Sequence, residues 1–428
     1  MRLILLPLVA VTACGPMSSG ADGGASSDAG RDAGSTPMRL TGTGNAIAPQ
    51  NGKFLVAGAE LKPNTDSDFQ LARFLADGQL DTSFGTNGKT TLSWPTYIDP
   101  VVADAGFVIE QKNDTAYAVQ LQGDKIIVAG TVQSQGDMSG AFGMARYSAD
   151  GVLDTTFGTG GRAQTKIGFG GPAHAMAIRS DGKIYAAGFI TRGMSGTNGA
   201  NFGVARFSAD GAFDSTFGGA TGVEGDFGKN EDARGLAFQG LKVVVGGGDD
   251  FIVARYEDTG ALDMTFGTAG IATSAGGFAN NFIALPTGEL LLSGSRRNGA
   301  AASWAIKLVR YTAQGQLDAT FGTGGVVEAP FDTQQTSTIV LGRMNDGRIV
   351  IAMQGLPLIV AVARFSAAGV VETTFGNAGL RGLDVPLPIL AGMFPPSANQ
   401  GVIVDDRLVL TATDTSTTAH VLFRNSAL

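Results

Sequence analysis

Cysteine and histidine are almost missing from this chain. Its 428 residues hold one cysteine, Cys14, and two histidines, His174 and His420. A single thiol excludes a disulfide framework, and so few thiols and imidazoles exclude thiolate zinc sites and multi-histidine metal centres. Charge is sparse as well. Only 16% of residues are charged, and 30 Lys and Arg against 38 Asp and Glu leave a net charge of −8. No basic block interrupts that balance, which excludes a nucleic-acid partner. After the first residues no run of 18 uninterrupted apolar residues occurs, so no later segment is expected to cross a bilayer as a helix. Helical periodicity is absent throughout. A Gly-x-Ser-x-Gly elbow, a P-loop and a dinucleotide-binding glycine motif are also lacking, so no cofactor is expected. The run Gly168-Phe169-Gly170-Gly171 reads as a turn.

Glycine and apolar residues are abundant. There are 64 glycines, roughly twice the usual share, and 43% of the chain is hydrophobic. That is too apolar for a disordered protein, and the length suffices for a large core.

Residues 1–13 read MRLILLPLVAVTA. One positive charge, Arg2, precedes an apolar run too short to span a bilayer, the pattern of a secretory signal. It ends in Val11-Thr12-Ala13-Cys14, which resembles the lipobox of bacterial lipoproteins. The resemblance implies that Cys14 is lipidated and becomes the mature N-terminus; an ordinary signal peptide with an incidental cysteine is the alternative. Acyl chains, at about 0.8 kcal/mol per buried CH₂, would hold the protein on a lipid bilayer. With Cys14, residues 15–37 make up a 14–37 linker rich in Gly, Ser, Ala and Asp. They cannot bury apolar surface and are expected to act as a flexible tether reaching roughly 26 Å.

The remainder, 38–428, is one repeat in several copies. ARYSADGVLDTTFGTGG at 145–161 recurs from Ala72, Ala205, Ala254, Val309 and Ala363. Its arginines are Arg73, Arg146, Arg206, Arg255, Arg310 and Arg364, and Arg424 begins a seventh copy. Before each arginine stands a hairpin pattern: NAIAPQNGKFLVAG (45–58), YAVQLQGDKIIVAG (117–130), AMAIRSDGKIYAAG (175–188) and four more. Two apolar runs around a tight Asp-Gly-type turn predict a β-hairpin. The "ARY" stretch predicts a third strand and the residues after "TFGxxG" a fourth. Four strands repeated this way describe β-propeller blades, with about 56 residues in each of seven blades. A β-solenoid is the rival, but its rungs are shorter and lack this turn. The last copy stops at its third strand. Residues 38–43, MRLTGT, precede the first hairpin and are expected to supply the missing outer strand, closing the ring.

The pattern, a DGK-type hairpin followed by ARY…DG…LD.TFG..G, resembles the delta-60 repeat family over nearly all of 45–428. The resemblance implies a propeller-like fold and a secreted or surface location in bacteria, hence the cell envelope, with the periplasmic or surface side of the outer membrane expected. It implies no particular activity. Two departures stand out: about 18 extra residues between Gly88 and Ala116, including Trp94 and Tyr97, and His420 with Asn425 in the last copy.

Residues present in every copy are best explained by architecture. Gly78, Gly151, Gly211, Gly260, Gly315 and Gly369 suit a turn with positive φ. Phe84, Phe157, Phe217, Phe266, Phe321 and Phe375 suit packing between blades. Eight residues after the arginines stand Asp81, Asp154, Asp214, Asp263, Asp318 and Glu372, placed for a bidentate ion pair with the arginine of the same copy. A ring of anion or metal sites is the alternative.

Variation concentrates in the connections at the other end of the blades, where loops carry function. The inner strands begin there, near Asp114, His174, Asp232, Arg234, Asn280, Asn281 and Thr338, unlike polar residues at equivalent positions. These are the candidate binding residues. Asp66/Asp68 and Asp249/Asp250 are acidic pairs without the ligand count of a calcium loop. Three readings follow. The first is an anchored, monomeric scaffold that binds protein or glycan, perhaps through an aromatic patch of Trp94, Tyr97 and Trp304. The second is a hydrolase or lyase at the channel mouth with His174 as base. The third is an assembly partner with no ligand of its own.

Overall fold

The computed structural model describes residues 40–62, 66–94, 113–133, 140–191, 199–297, 304–356, 359–383, 397–404, 406–414 and 419–425. Cys14, the tether and Tyr97 lie outside the described residues. Within them every regular element is a β-strand, paired antiparallel with its neighbours.

The strands follow the repeat. β1 (Leu40–Thr41) stands alone ahead of β2 (Thr43–Gln50), β3 (Lys53–Leu61), β4 (Ser67–Phe74) and β5 (Lys89–Leu92), a four-stranded meander. β6 (Thr115–Gln122), β7 (Lys125–Val132), β8 (Ala141–Tyr147) and β9 (Arg162–Thr165) form the next. β10 (Ala173–Ile178), β11 (Ile184–Thr191), β12 (Ala200–Phe207) and β13 (Val223–Gly225) repeat it. A longer connected sheet holds β14 (Gly235–Gln239), β15 (Lys242–Asp249), β16 (Ile252–Tyr256), β17 (Ile271–Ala272), β18 (Phe278–Ala284), β19 (Leu290–Arg297), β20 (Trp304–Tyr311), β21 (Val326–Arg343), β22 (Ile349–Leu356), β23 (Ile359–Phe365) and β24 (Leu380–Leu383). It is continuous because β21 runs from the outer edge of one meander, beside β20, into the inner position of the next, beside β22. Finally β25 (Ser397–Val404), β26 (Arg407–Asp414) and β27 (Ala419–Asn425) pair in order, and β1 adds to β27. In that pairing Leu40 faces His420 and Thr41 faces Ala419.

The first strands of successive meanders touch in a cycle: β2 with β6, then β10, β14, β18, β21 and β25, which returns to β2. Apolar clusters fill the gaps between meanders. Leu55, Phe69 and Phe84 pack with Val119, Ile126 and Tyr147, and Phe54, Val56 and Phe74 pack with Val409 of β26. Trp94, a candidate for an exposed aromatic patch, belongs to this core. It is 5% exposed and meets Phe69 edge to face at 5.9 Å, because the end of β5 opens onto an apolar gap that an indole fills.

The repeated charges meet within each meander. Arg73, Arg206, Arg255 and Arg310 donate from Nε to Asp81, Asp214, Asp263 and Asp318 at 2.7, 2.8, 2.6 and 2.7 Å, and Arg364 donates to Glu372. The contact runs through Nε alone rather than a two-point fork, because the other guanidinium N–H groups are shared out. Nη1 reaches a backbone carbonyl in the next meander's turn, for example from Arg73 to Ala149 at 2.7 Å and from Arg310 to Ala367 at 2.7 Å. Nη2 reaches a neighbouring hydroxyl, as from Arg206 to Thr216 at 2.7 Å. Each guanidinium also lies over the phenylalanine of its "TFG", at 4.7 Å for Phe84 and 4.4 Å for Phe375. The turn glycine of the following repeat fits where a side chain would collide. At Gly151, with φ of 84°, a Cβ would lie 2.7 Å from the Phe84 ring.

Candidate functional site

The inner strands share a device that re-aims one side chain each. In β10, Ala173 faces Gly188 and Ala175 faces Ala187, which leaves His174 as a one-residue bulge. The same skip leaves Asn45, Tyr117, Asn280, Ile339 and Asn399 unpaired in β2, β6, β18, β21 and β25. Arg234 stands at the equivalent place immediately before β14. A bulge turns the extra residue out of the regular alternation, and bulges recur beside functional sites for that reason. The glycine of each "AG" makes room for it. A Cβ on Gly188 would lie 1.8 Å from the carbonyl oxygen of Pro172, and one on Gly58 would lie 1.7 Å from that of Thr43.

A cavity of about 210 Å³ opens among these strands. Asn45, Tyr117, His174, Arg234, Asn280 and Asn281 line it, with Phe282, Val340, Leu341 and Gly401 completing the wall. Four of the seven candidate residues, His174, Arg234, Asn280 and Asn281, therefore reach one space. Asp232 and Thr338 stand behind them, and Asp114 points elsewhere.

His174 and Asp232 come from adjacent meanders. Nδ1 of His174 lies 2.8 Å from Asp232 Oδ1, and the other carboxylate oxygen lies 2.5 Å from Arg234 Nη2. Burial alone would push the Asp232 carboxyl up, but the hydrogen bond to His174 and the Arg234 guanidinium hold it below the usual carboxylate range. Against an ionised Asp232, Nδ1 carries the hydrogen and donates, leaving Nε2 as the acceptor of a neutral ring. Tyr117 meets the imidazole edge to face at 5.0 Å, and Phe189 lies at 5.6 Å on a tilt. Burial raises the Tyr117 hydroxyl, opposed by its Thr115 hydrogen bond and by Arg234, so the phenol stays protonated.

Across the cavity, Asn281 Nδ2 donates to the Thr338 carbonyl at 2.9 Å and to its hydroxyl at 3.2 Å. Asn280 donates to Ser337 Oγ at 3.4 Å. Asn45 Nδ2 is held by the Ala116 carbonyl at 3.1 Å. Two buried atoms of the lining have no hydrogen-bond partner among the described residues: Arg234 Nε and Asn280 Oδ1.

Asp114 is fully buried and does not line the cavity. Its carboxylate accepts the backbone N–H of Gln133 at 2.9 Å and that of Trp94 at 3.3 Å, which ties two connections to β6. The acidic pairs are occupied by protein donors. Asp68 bonds Lys62 at 2.6 Å, Asp250 bonds Lys229 at 2.9 Å, and Asp249 accepts from Asn230 at 3.0 Å. Among the described residues no three His, Cys, Asp or Glu side chains converge on a point that a metal ion could occupy.

Asn45 and Tyr117 were not among the candidate residues. The signal was available: both open their hairpin copies, in register with the residue after Ala173, Ala233 and Ala279.

Repeated antiparallel meanders with inner strands in a cycle and a polar cavity among them define a β-propeller-like repeat protein. Four stretches, 50–84, 122–157, 179–217 and 285–321, match the family model described as a "Domain of unknown function (DUF5122) beta-propeller". Among curated proteins none matches the chain. Solved structures share the fold at low identity. A puromycin hydrolase aligns with a TM-score of 0.49 and 12% identity, over 90% of this chain and 52% of that one. An ulvan lyase of polysaccharide lyase family PL25 aligns with a TM-score of 0.48 and 9% identity, over 90% and 95%. The extracellular domains 1-2 of Drosophila Semaphorin 1b align with a TM-score of 0.43 and 10% identity, over 90% and 86%. The chain spans about half the length of the puromycin hydrolase and of prolyl oligopeptidase B from Galerina marginata, at 52% and 48%.

Proposed function

We propose that residues 38–428 form a seven-bladed β-propeller, held on the bacterial cell envelope by an acylated Cys14, that works as a monomeric binding scaffold for protein or glycan. The blade count rests on the cycle of inner strands from β2 to β25 and on the pairing of β1 with β27. The envelope location rests on the N-terminal sequence, with the periplasmic or surface side of the outer membrane as the expected address. The observation that carries the binding role is the bulge. One structural position, repeated around the cycle, presents Asn, Tyr, His, Arg, Asn, Ile and Asn. A purely architectural position would hold one residue type, as the arginines and phenylalanines of the repeat do.

Binding to a glycan array and to envelope extracts, compared among the full-length protein and its variants, tests this. Arg234→Met and Asn280→Leu are expected to lose the bound species, while Val152→Ser, 65% exposed at the other end of the blades, retains it. Loss in Val152→Ser with retention in both mouth variants would overturn the reading. Membrane fractionation of Cys14→Ser is expected to release the protein, and equal partitioning of both forms would remove Cys14 as the anchor.

One observation favours a hydrolase or lyase as the second reading. Asp232 fixes His174 Nδ1 and leaves Nε2 as a base at the cavity. That reading predicts turnover of the bound species, lost in His174→Gln while binding persists.

A further inference from the structure

The two unpartnered atoms of the cavity differ in polarity, and that difference selects a ligand. Arg234 Nε carries a hydrogen with nothing to accept it, and Asn280 Oδ1 has lone pairs with nothing to donate to them. Leaving such buried groups unpaired is costly, so an occupant that satisfies both is favoured over one that satisfies either. An anion satisfies only the first and sets its oxygen against the amide oxygen. The charge of Arg234 is moreover already met by Asp232 at 2.5 Å, so the cavity holds no surplus positive charge. A purely apolar occupant satisfies neither. A hydroxyl accepts and donates at once. His174 Nε2 adds a further acceptor, while the Tyr117 phenol adds a donor and a flat apolar ring. Phe282, Val340 and Leu341 supply an apolar wall for C–H groups. At about 210 Å³ the space falls below the roughly 300–1,000 Å³ of sites for drug-sized molecules.

We infer that the channel mouth takes a neutral, polyhydroxylated ligand the size of one sugar residue, as a free monosaccharide or the end of a glycan chain. This rests on the proposed reading of the mouth as a binding site. Asn280 and Arg234 select for hydroxyl over carboxylate, and the Phe282 side of the wall takes the C–H face.

The test uses the full chain in calorimetry against D-glucose, D-galactose, L-rhamnose and D-glucuronate, after a glycan array has been read for neutral and acidic termini. A neutral sugar is expected to bind, and glucuronate to bind no tighter than glucose. Asn280→Leu removes the acceptor and is expected to weaken the neutral sugar about tenfold or more. Asn280→Asp keeps the acceptor, so it holds a hydroxyl ligand within about threefold but repels a carboxylate. Thermal unfolding of each variant shows that it is folded. Glucuronate binding tenfold tighter than glucose and lost in Asn280→Asp would overturn the ligand class. So would an array with no bound neutral sugar alongside an envelope protein whose capture needs Arg234, an outcome that leaves the mouth as the binding site. Sugar binding untouched by Arg234→Met, Asn280→Leu and His174→Ala would overturn both the class and the site.

Discussion

Arg146 Nη1 donates to the backbone carbonyl of Ala209, 2.8 Å away in the turn of the next meander. The same guanidinium donates from Nε to Asp154 at 2.8 Å and lies over Phe157 at 4.7 Å. Beside it, the Gly158 N–H donates to Asp210 in that same turn at 2.6 Å. The most repeated charge therefore holds neighbouring meanders together, and Asp154 sets its direction.

Arg146 and Asp154 are 8% and 12% exposed at their side chains. Removing one partner of a buried pair leaves the other uncompensated, at a cost of roughly 3–5 kcal/mol. Chemical denaturation should show Arg146→Met losing about that much and Asp154→Asn a comparable amount. The double variant should lose clearly less than their sum. Additive losses below about 1 kcal/mol each would instead describe exposed ligands.

The acids of the repeat set the pH response. A hydrogen bond from Lys53 holds the Asp81 carboxyl well below its ordinary value, and Lys125 does the same for Asp154. At Asp263 burial pushes upward, but bonds from Lys242, Thr265 and Arg255 outweigh it. A depressed carboxyl contributes stability that is fully present above its unfolded value, near 3.9, and is lost as the pH falls toward the folded value. Glu231 runs the other way. Burial raises it despite N–H bonds from Lys229 and Phe227, so its contribution is lost as the pH rises through the folded value. Melting curves should show the protein failing below about pH 4. Glu231→Gln should melt higher than the unaltered protein at pH 8, with the gap closing toward pH 5. A gap that widens on acidification would contradict this assignment.

Gly188→Ala tests the bulge. The added methyl would sit 1.8 Å from the Pro172 carbonyl oxygen, which is backbone two residues ahead of His174. The strand must move, at a cost of about 1–3 kcal/mol, and His174 moves with it. Binding at the mouth should weaken along with stability, whereas Gly123→Ala, in a turn with no atom near the added methyl, should affect stability alone.

Much of this was legible in the chain. Hairpins follow from apolar runs around Asn51-Gly52, whose φ values of 49° and 75° suit the tight turn. The outer strand at β1 follows from an orphan segment and a copy lacking its fourth strand. The partners of the guanidiniums were half legible. The acid eight residues on is local, whereas the Ala209 carbonyl lies 63 residues away and depends on how meanders stack. The bulges have no composition of their own, since an unpaired residue shows only once the register is known. For the same reason His174 and Asp232, 58 residues apart, were both placed at the rim without being paired to each other.

Closure of the cycle can be read from one cross-link. Thr41 and Ala419 are direct partners in the β1–β27 pairing, and Cys14 is the chain's single cysteine. In a Cys14→Ser background, Thr41→Cys with Ala419→Cys should form an intramolecular disulfide under oxidation. The product should run as a compact monomer on a non-reducing gel and melt higher, in line with about 2–4 kcal/mol of stabilisation that reduction removes. Two free thiols, or disulfide-linked dimers in place of the monomer, would contradict a propeller closed by its N-terminal strand.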